Sequence, residues 1–229
     1  MESFIPNRMK KSFREGSAYK STYFALQLVS SLDIPRNCRA LLKSLHFLGD
    51  IRFNFFCERV QMGLLSRAAF MKEVYSLIEK HSQSTFDIIF SDCSFQVGKA
   101  LSNSERRSKR IHQSGNASFN YGEIDYSSFY EILRRIPQKV KTGRFYDIGS
   151  GTGRAVIAAR LTQDFQNCIG IEILSGLHKQ ALRRVVLFNR SHRSNLFTGQ
   201  ENNISFHCTS FEDFDWSDGD CIFVNSTSF

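Results

Sequence analysis

The chain has 229 residues, which is enough for one substantial domain or two small ones. Its formal charge of +8 suits a polyanionic partner as well as a simply well-solvated surface. Six cysteines without a C-x-x-C pair indicate core residues in a reducing compartment, not a zinc site or a disulfide framework. Because no apolar leader and no run of about 18 apolar residues is found, we expect a soluble intracellular protein without a metal site or a membrane partner.

Residues 1–118 are predicted to form a helical region that ends in a basic linker. Residues 1–20 are polar and basic and are interpreted as a loose arm. Apolar residues then recur at helical spacing, and the last such run extends from Phe86 to Leu101. Residues 102–119 are polar and predict a loop, in which Arg106–Arg110 could contact nucleic-acid phosphate or simply be solvated.

From Tyr121 onward the pattern alternates between short strands and helices. Strands are predicted at Phe145–Ile148, Cys168–Glu172, Ile204–Cys208 and Asp220–Asn225, and helices at Arg154–Leu161 and Leu177–Asn189. This order predicts a parallel sheet with right-handed crossovers, so residues 119–229 are expected to form an α/β domain. In such a sheet, ligands bind at the carboxyl ends of the strands.

The first predicted strand reaches Asp147 and continues into a glycine-rich turn. Gly149, Gly151 and Gly153 alternate with other residues, Ser150 among them. Such glycines permit positive φ and let a ligand approach the backbone at the N-terminus of the next helix. The G-x-G-x-G spacing differs from the G-x-G-x-x-G of dinucleotide-binding proteins, and Asp147 would repel a pyrophosphate but attract an ammonium. The turn therefore favours S-adenosylmethionine over NAD, with a bare turn as the alternative.

Three later strand ends carry candidate ligand contacts. Glu172 ends the second strand, where a carboxylate can accept hydrogen bonds from two ribose hydroxyls or can simply lie at the surface. Phe211 follows Ser210 after the third strand, where it could stack on an adenine or be buried in the crossover. Asn225 ends the fourth strand beside the expected methyl position, although asparagine there is also a common turn former.

These residues resemble the disruptor of telomeric silencing family, which consists of non-SET histone lysine methyltransferases within the class I S-adenosylmethionine-dependent enzymes. The resemblance covers about residues 119–229. Four segments carry it in the family's order: Tyr121–Ile124, Asp147–Gly153, Gly170–Glu172 and Ile222–Asn225. It implies a Rossmann-like class I sheet that is incomplete at its C-terminus, because the chain stops at Phe229. Ser210 departs from the family pattern, which usually has an acid at this position.

The resemblance also implies roles for individual residues. Cofactor-binding roles fall on the loop Tyr121, Gly122, Glu123 and Ile124, on Asp147, Gly149, Ser150, Gly151 and Gly153 for the methionine end, on Glu172 for the ribose, and on Ser210 and Phe211 for the adenine. The methyl-transfer channel, and with it catalysis, is assigned to Tyr121, Phe223 and Asn225.

The resemblance further implies methylation of a histone lysine, with the nucleosome as partner and the nucleus as location. Two alternatives remain open. One is a class I methyltransferase that acts on RNA, on another protein or on a small molecule, in the nucleus or the cytoplasm. The other is an inactive fragment or pseudoenzyme that acts as a binding module.

Overall fold

A computed structural model describes residues 18–108, 121–137, 139–193 and 203–225. These residues form eight helices and four strands and divide into two compact units, residues 1–81 and 82–229. The arm predicted over residues 1–20 lies outside the described part, except that Ala18 already begins the first helix. None of the helices in the described ranges is both long and apolar enough to cross a membrane.

The first unit is helical, as the apolar periodicity predicts. Its elements are α1 (Ala18–Ser30), α2 (Arg36–Phe47), α3 (Ile51–Gln61) and most of α4 (Arg67–Ile89). The apolar stripes of these helices form the core, in which Val29, Leu42 and Phe53 are fully buried. The Asp50 side chain caps α3 by accepting a hydrogen bond from the Phe53 amide at 2.8 Å.

The second unit begins with the last turns of α4 and with α5 (Phe95–Ser108), which corrects one prediction. The apolar run from Phe86 to Leu101 is divided between α4, which ends at Ile89, and α5, and a turn separates the two helices. The loop predicted over residues 102–119 is wrong for 102–108, which are the last turns of α5. Tertiary contacts override the loop-like composition there: Ser102 is buried, and Glu105 binds the N-terminus of another helix.

The remaining elements confirm the Rossmann-like α/β fold. They are α6 (Tyr126–Arg135), β1 (Arg144–Ile148), α7 (Arg154–Thr162), β2 (Asn167–Ile171), α8 (Ser175–Arg193), β3 (Ile204–His207) and β4 (Cys221–Val224). The four strands are parallel in the order β3-β2-β1-β4. Asp147 of β1 lies level with Gly170 of β2 and Phe223 of β4, so the carboxyl ends of these strands meet at one edge.

The end of α4 is fastened to this unit by a buried arginine of α8. Arg184 is fully buried and donates a hydrogen bond of 2.8 Å to the Ile89 carbonyl oxygen. It also forms an ion pair with Asp92, and its guanidinium carbon lies 5.8 Å from the centre of the Phe90 ring. A buried guanidinium requires such partners, so residues 86–93 are a structural part of the α/β unit.

Candidate functional site

The glycine-rich turn between β1 and α7 has the conformation that its sequence predicts. The backbone φ angles of the three glycines Gly149, Gly151 and Gly153 are 76°, 55° and 89°. Residues other than glycine rarely adopt such positive values. Gly153 also has a packing reason, since a Cβ there would lie 2.6 Å from the Phe206 ring. The Gly149 amide donates a hydrogen bond of 2.9 Å to the Ile171 carbonyl, which ties the turn to β2.

A cavity lies at the carboxyl ends of the strands beside this turn, and thirteen of the fourteen predicted site residues line it. They are Tyr121, Gly122, Glu123, Ile124, Asp147, Gly149, Ser150, Gly151, Glu172, Ser210, Phe211, Phe223 and Asn225. Gly153 does not line the cavity but serves as the N-cap residue of α7. The structure thus brings together residues that are more than 100 positions apart, although their individual roles stay predictions.

Two buried carboxyl groups dominate the electrostatics of the cavity. Asp147 is 3% exposed, and no hydrogen bond or ion pair from any described residue reaches its side chain. Burial, together with the neighbouring Glu172 charge, raises the pKa of Asp147 to about 8. An unpaired buried carboxyl is costly, so this position suits a cationic ligand group that would ionise Asp147 and pair with it.

Glu172 is held in place by the backbone around it. One carboxylate oxygen accepts a hydrogen bond from the Gly151 amide and the other from the Leu174 amide, both at 2.8 Å. Burial raises the pKa of Glu172, while these amides and the charge of Arg106 oppose the rise. Each carboxylate oxygen retains a second lone pair, so Glu172 can still accept hydrogen bonds from ligand hydroxyls.

Arg106 reaches the cavity because Glu105, its neighbour on α5, anchors that helix to α8. The Glu105 carboxylate accepts hydrogen bonds from the Ser175 amide at 2.8 Å and from the Gly176 amide at 2.7 Å. A carboxylate at a helix N-terminus is favourable because it meets free amides and the positive end of the helix dipole. The contact joins residues 70 positions apart, so sequence patterns alone gave no signal for it.

The segment Tyr121–Ile124 forms another wall of the cavity. The Tyr121 hydroxyl donates a hydrogen bond of 2.6 Å to the Glu123 carboxylate. Burial and this hydrogen bond raise the pKa of Tyr121 above its usual range, so the phenol stays protonated and remains a donor. Glu123 in turn forms an ion pair with Arg154, with 2.8 Å between Oε2 and Nε.

Two phenylalanines, Phe223 and Phe211, also line the cavity. Phe223 packs against Phe129 of α6, with the ring centres 4.8 Å apart. Phe211 is 37% exposed, and its carbonyl oxygen accepts a hydrogen bond of 3.0 Å from the Trp216 indole. Phe211 is therefore not buried in the crossover, and it lines the cavity at the end of β3.

Sequence reasoning placed several of the residues that line the cavity outside it. They include Arg106, Thr152, Arg154 and Leu177. Arg106 and Arg154 bring positive charge to a cavity that the sequence suggested was acidic. The Arg154 side chain is placed by contacts with Cys93 and Glu123, which are distant in sequence, and no local pattern indicates them.

A family model matches the part of the chain that contains the residues lining the cavity. The family model described as histone methylation protein DOT1 matches residues 104–229, which is more than half of the chain. The chain belongs to the DOT1 family. The DOT1 match confirms the predicted resemblance and extends it upstream to include Glu105 and Arg106. No curated protein matches the chain.

DOT1 membership accounts for the cavity in general terms. The DOT1 family comprises S-adenosylmethionine-dependent methyltransferases that modify histones. The Rossmann-like sheet places the glycine-rich turn, Asp147 and Glu172 together at the carboxyl ends of its strands, where ligands bind in open α/β sheets. Phe86, Phe90 and Cys93, which precede the matched segment, nevertheless contact Arg154 of the same cavity.

Proposed function

We propose that the chain binds S-adenosylmethionine in this cavity and transfers its methyl group to a lysine side chain of a nucleosomal histone in the nucleus. The observation that carries the proposal is the buried, unpaired Asp147 carboxyl beside the glycine-rich turn. A pyrophosphate finds no cationic partner in Asp147 and Glu172, whereas a ligand with an ammonium group and a ribose complements both.

The proposed contacts of the cofactor follow from the positions of the cavity residues. Asp147 would pair with the ammonium of the methionine end, whose carboxylate suits the amides at the N-terminus of α7. Glu172 would accept hydrogen bonds from the ribose hydroxyls, and the exposed Phe211 ring would stack on the adenine. Ser210 beside it offers a hydroxyl where the family usually has an acid.

The bound cofactor would supply an electrophilic methyl group on a sulfonium. The protein's own task is to align a lysine amine with that methyl group and to exclude water from it. The amine must be neutral to attack, and an apolar aromatic surrounding lowers the pKa of a lysine. Tyr121 and Phe223 provide such a surrounding beside Asn225, and the transfer requires no dedicated general base.

A methylation assay with tritiated S-adenosylmethionine tests the acceptor. Nucleosomes, free histones and RNA are offered in parallel, and we expect label in the histone fraction of the nucleosomes. Mass spectrometry of the labelled histone then identifies the modified side chain. Label in RNA alone would contradict the histone proposal, and absence of cofactor binding by calorimetry would leave the chain as a non-catalytic binding module.

The proposed nucleosome partner carries DNA phosphates that basic residues of the chain would contact. Arg107 is exposed on α5, whereas Arg106 lines the cavity, and Lys109 and Arg110 lie outside the described residues. We therefore assign phosphate contact first to Arg107. Nucleosome affinity that falls with rising salt, and falls less steeply in Arg107→Gln, would support this assignment.

Replacing Glu172 by alanine should weaken cofactor binding without changing the acceptor. Loss of charge-assisted hydrogen bonds of this kind costs about 2 kcal/mol, or about thirtyfold in affinity. Isothermal titration calorimetry measures the change, and Glu212→Ala provides the matched control, since Glu212 is exposed and does not line the cavity. Equal affinity in Glu172→Ala and wild type would remove Glu172 from the site.

A further inference from the structure

Arg154 occupies a position that is unfavourable for a cation. It is the first residue of α7, where the positive end of the helix dipole repels a guanidinium. Its side chain is only 18% exposed, so water screens that repulsion poorly. Arg154 therefore requires compensating partners, and the structure supplies them on two sides.

The first set of partners belongs to the cavity. Arg154 forms its ion pair with Glu123, whose side chain is 10% exposed. Glu123 also accepts the hydrogen bond from the Tyr121 hydroxyl. A continuous chain of charged and polar contacts therefore connects α7 to the segment Tyr121–Ile124 that lines the cavity.

The second set of partners belongs to the end of α4 and the turn after it. The Arg154 guanidinium carbon lies 4.5 Å from the centre of the Phe90 ring and 5.5 Å from that of Phe86. Its terminal nitrogen donates a hydrogen bond of 3.0 Å to the Cys93 carbonyl oxygen. Phe90 is itself buried, and Arg184 lies over its ring, so the ring is packed between two guanidinium groups.

We propose that Arg154 is a positioning residue: held by Phe90 and the Cys93 carbonyl, it fixes Glu123 and so holds Tyr121–Ile124 against the cofactor cavity. The inference rests on the proposed function in that it takes the cofactor to be S-adenosylmethionine. It assigns a role in the site to residues 86–93, which precede the family match at residue 104. Arginine suits the task because its planar guanidinium can stack on an aromatic ring, donate a hydrogen bond to a carbonyl oxygen and form an ion pair with a carboxylate.

A double-mutant cycle tests whether Arg154 acts through Glu123. Arg154→Gln and Glu123→Gln should each weaken S-adenosylmethionine binding by about tenfold or more, since each leaves a buried charge without its partner. In the Glu123→Gln background, Arg154→Gln should cost no further affinity. Arg154→Lys, which retains the charge but not the fork, should restore part of the affinity lost in Arg154→Gln.

Hydrogen exchange of the ligand-free protein provides a readout that does not depend on the cofactor. We expect the amides of Gly122, Glu123 and Ile124 to exchange faster in Arg154→Gln and in Glu123→Gln than in wild type. Arg160→Gln, a change on the same helix away from the cavity, serves as the control and should leave these amides unchanged. Circular dichroism establishes whether each variant is folded. If Arg154→Gln does not fold, Glu123→Gln alone tests the ion pair between the two residues.

The two measurements separate the inference from the proposed function. If wild type binds no S-adenosylmethionine, the proposed function fails, and the exchange data alone decide whether Arg154 holds the segment. Unchanged exchange in both variants would overturn the inference even if the cofactor binds. Independent losses of affinity that multiply in the double variant would likewise overturn it, because Arg154 would then act by another route.

Discussion

Asp147→Asn should abolish S-adenosylmethionine binding and at the same time stabilise the ligand-free protein at pH 8. Asparagine cannot ionise, so the ammonium of the cofactor would lose its buried counter-charge. Removing one partner of a buried charge pair costs about 3–5 kcal/mol, which is a loss of more than about a hundredfold in affinity. The same change removes a carboxyl group that ionises with difficulty in the empty cavity.

The direction of the stability change follows from the raised pKa of Asp147. Its value of about 8 in the folded protein compares with an ordinary value of 3.8. Below about pH 4 the Asp147 carboxyl is protonated in both the folded and the unfolded state. The stability that the neutral carboxyl contributes to the folded state is then fully present. That contribution is lost as pH rises towards 8, because the unfolded state releases the proton more readily. The free energy of unfolding of Asp147→Asn should therefore increasingly exceed that of wild type as pH rises, by about 2 kcal/mol or more at pH 8.

Cofactor affinity should show the opposite dependence on pH. Pairing with the ammonium requires ionised Asp147, so S-adenosylmethionine binding should release a proton and strengthen by up to about tenfold per pH unit between pH 6 and 8. Calorimetry in two buffers of different ionisation enthalpy measures the released proton. Asp213→Asn, at an exposed position, should behave as wild type. Binding that is independent of pH would contradict a cationic partner for Asp147.

The parts of the site that could be predicted from the sequence are those with a short-range cause. The spacing of Gly149, Gly151 and Gly153 is fixed by one turn, and the observed positive φ angles confirm it. The location of Asp147 and Glu172 could be predicted because one lies near the end of β1 and the other directly follows β2, and parallel strands bring their carboxyl ends to one edge of the sheet. The fold class followed from the same alternation of strands and helices.

The contacts that were missed all join distant segments. Phe90 belongs to the apolar run from Phe86 to Leu101, and its residue type agrees with its burial but gives no indication that its ring contacts Arg154 and Arg184. Residues 102–108 resemble a loop in sequence because they are polar. They are nevertheless helical, and Glu105 binds the N-terminus of α8, 70 positions away. Periodicity shows which face of a helix is buried, but it cannot show which partner that face meets.

Gly98→Ala should weaken cofactor binding while leaving the stability of the protein within about 1 kcal/mol of wild type, because the gain in helix propensity offsets the loss of the hydrogen bond between Tyr121 and Glu123. Gly98 lies inside α5 without a positive φ, so alanine should favour the helix by about 1 kcal/mol. A Cβ at this position would collide with the Tyr121 ring, including its Cε1 atom at 2.7 Å. The far end of the tyrosine can rotate away, so the collision displaces the side chain and does not disrupt the core.

The displaced ring would leave the place where it lines the cavity and would lose its hydrogen bond to Glu123. We expect S-adenosylmethionine affinity to fall by at least about tenfold, which corresponds to about 1.4 kcal/mol. Thermal denaturation and calorimetry on the same samples measure the two effects. Asn103→Ala, on the exposed side of α5, should gain helix stability and keep full affinity.

The cause of the Gly98→Ala effect can be isolated in a Tyr121→Ala background. With the ring removed, a Cβ at position 98 has nothing to displace, so the second change should cost no further affinity. A further loss in the double variant would mean that α5 itself had shifted. In that case Arg106, which the same helix carries into the cavity, would be the residue affected. Only the absence of a further loss in the double variant identifies Gly98 as the residue that makes room for Tyr121.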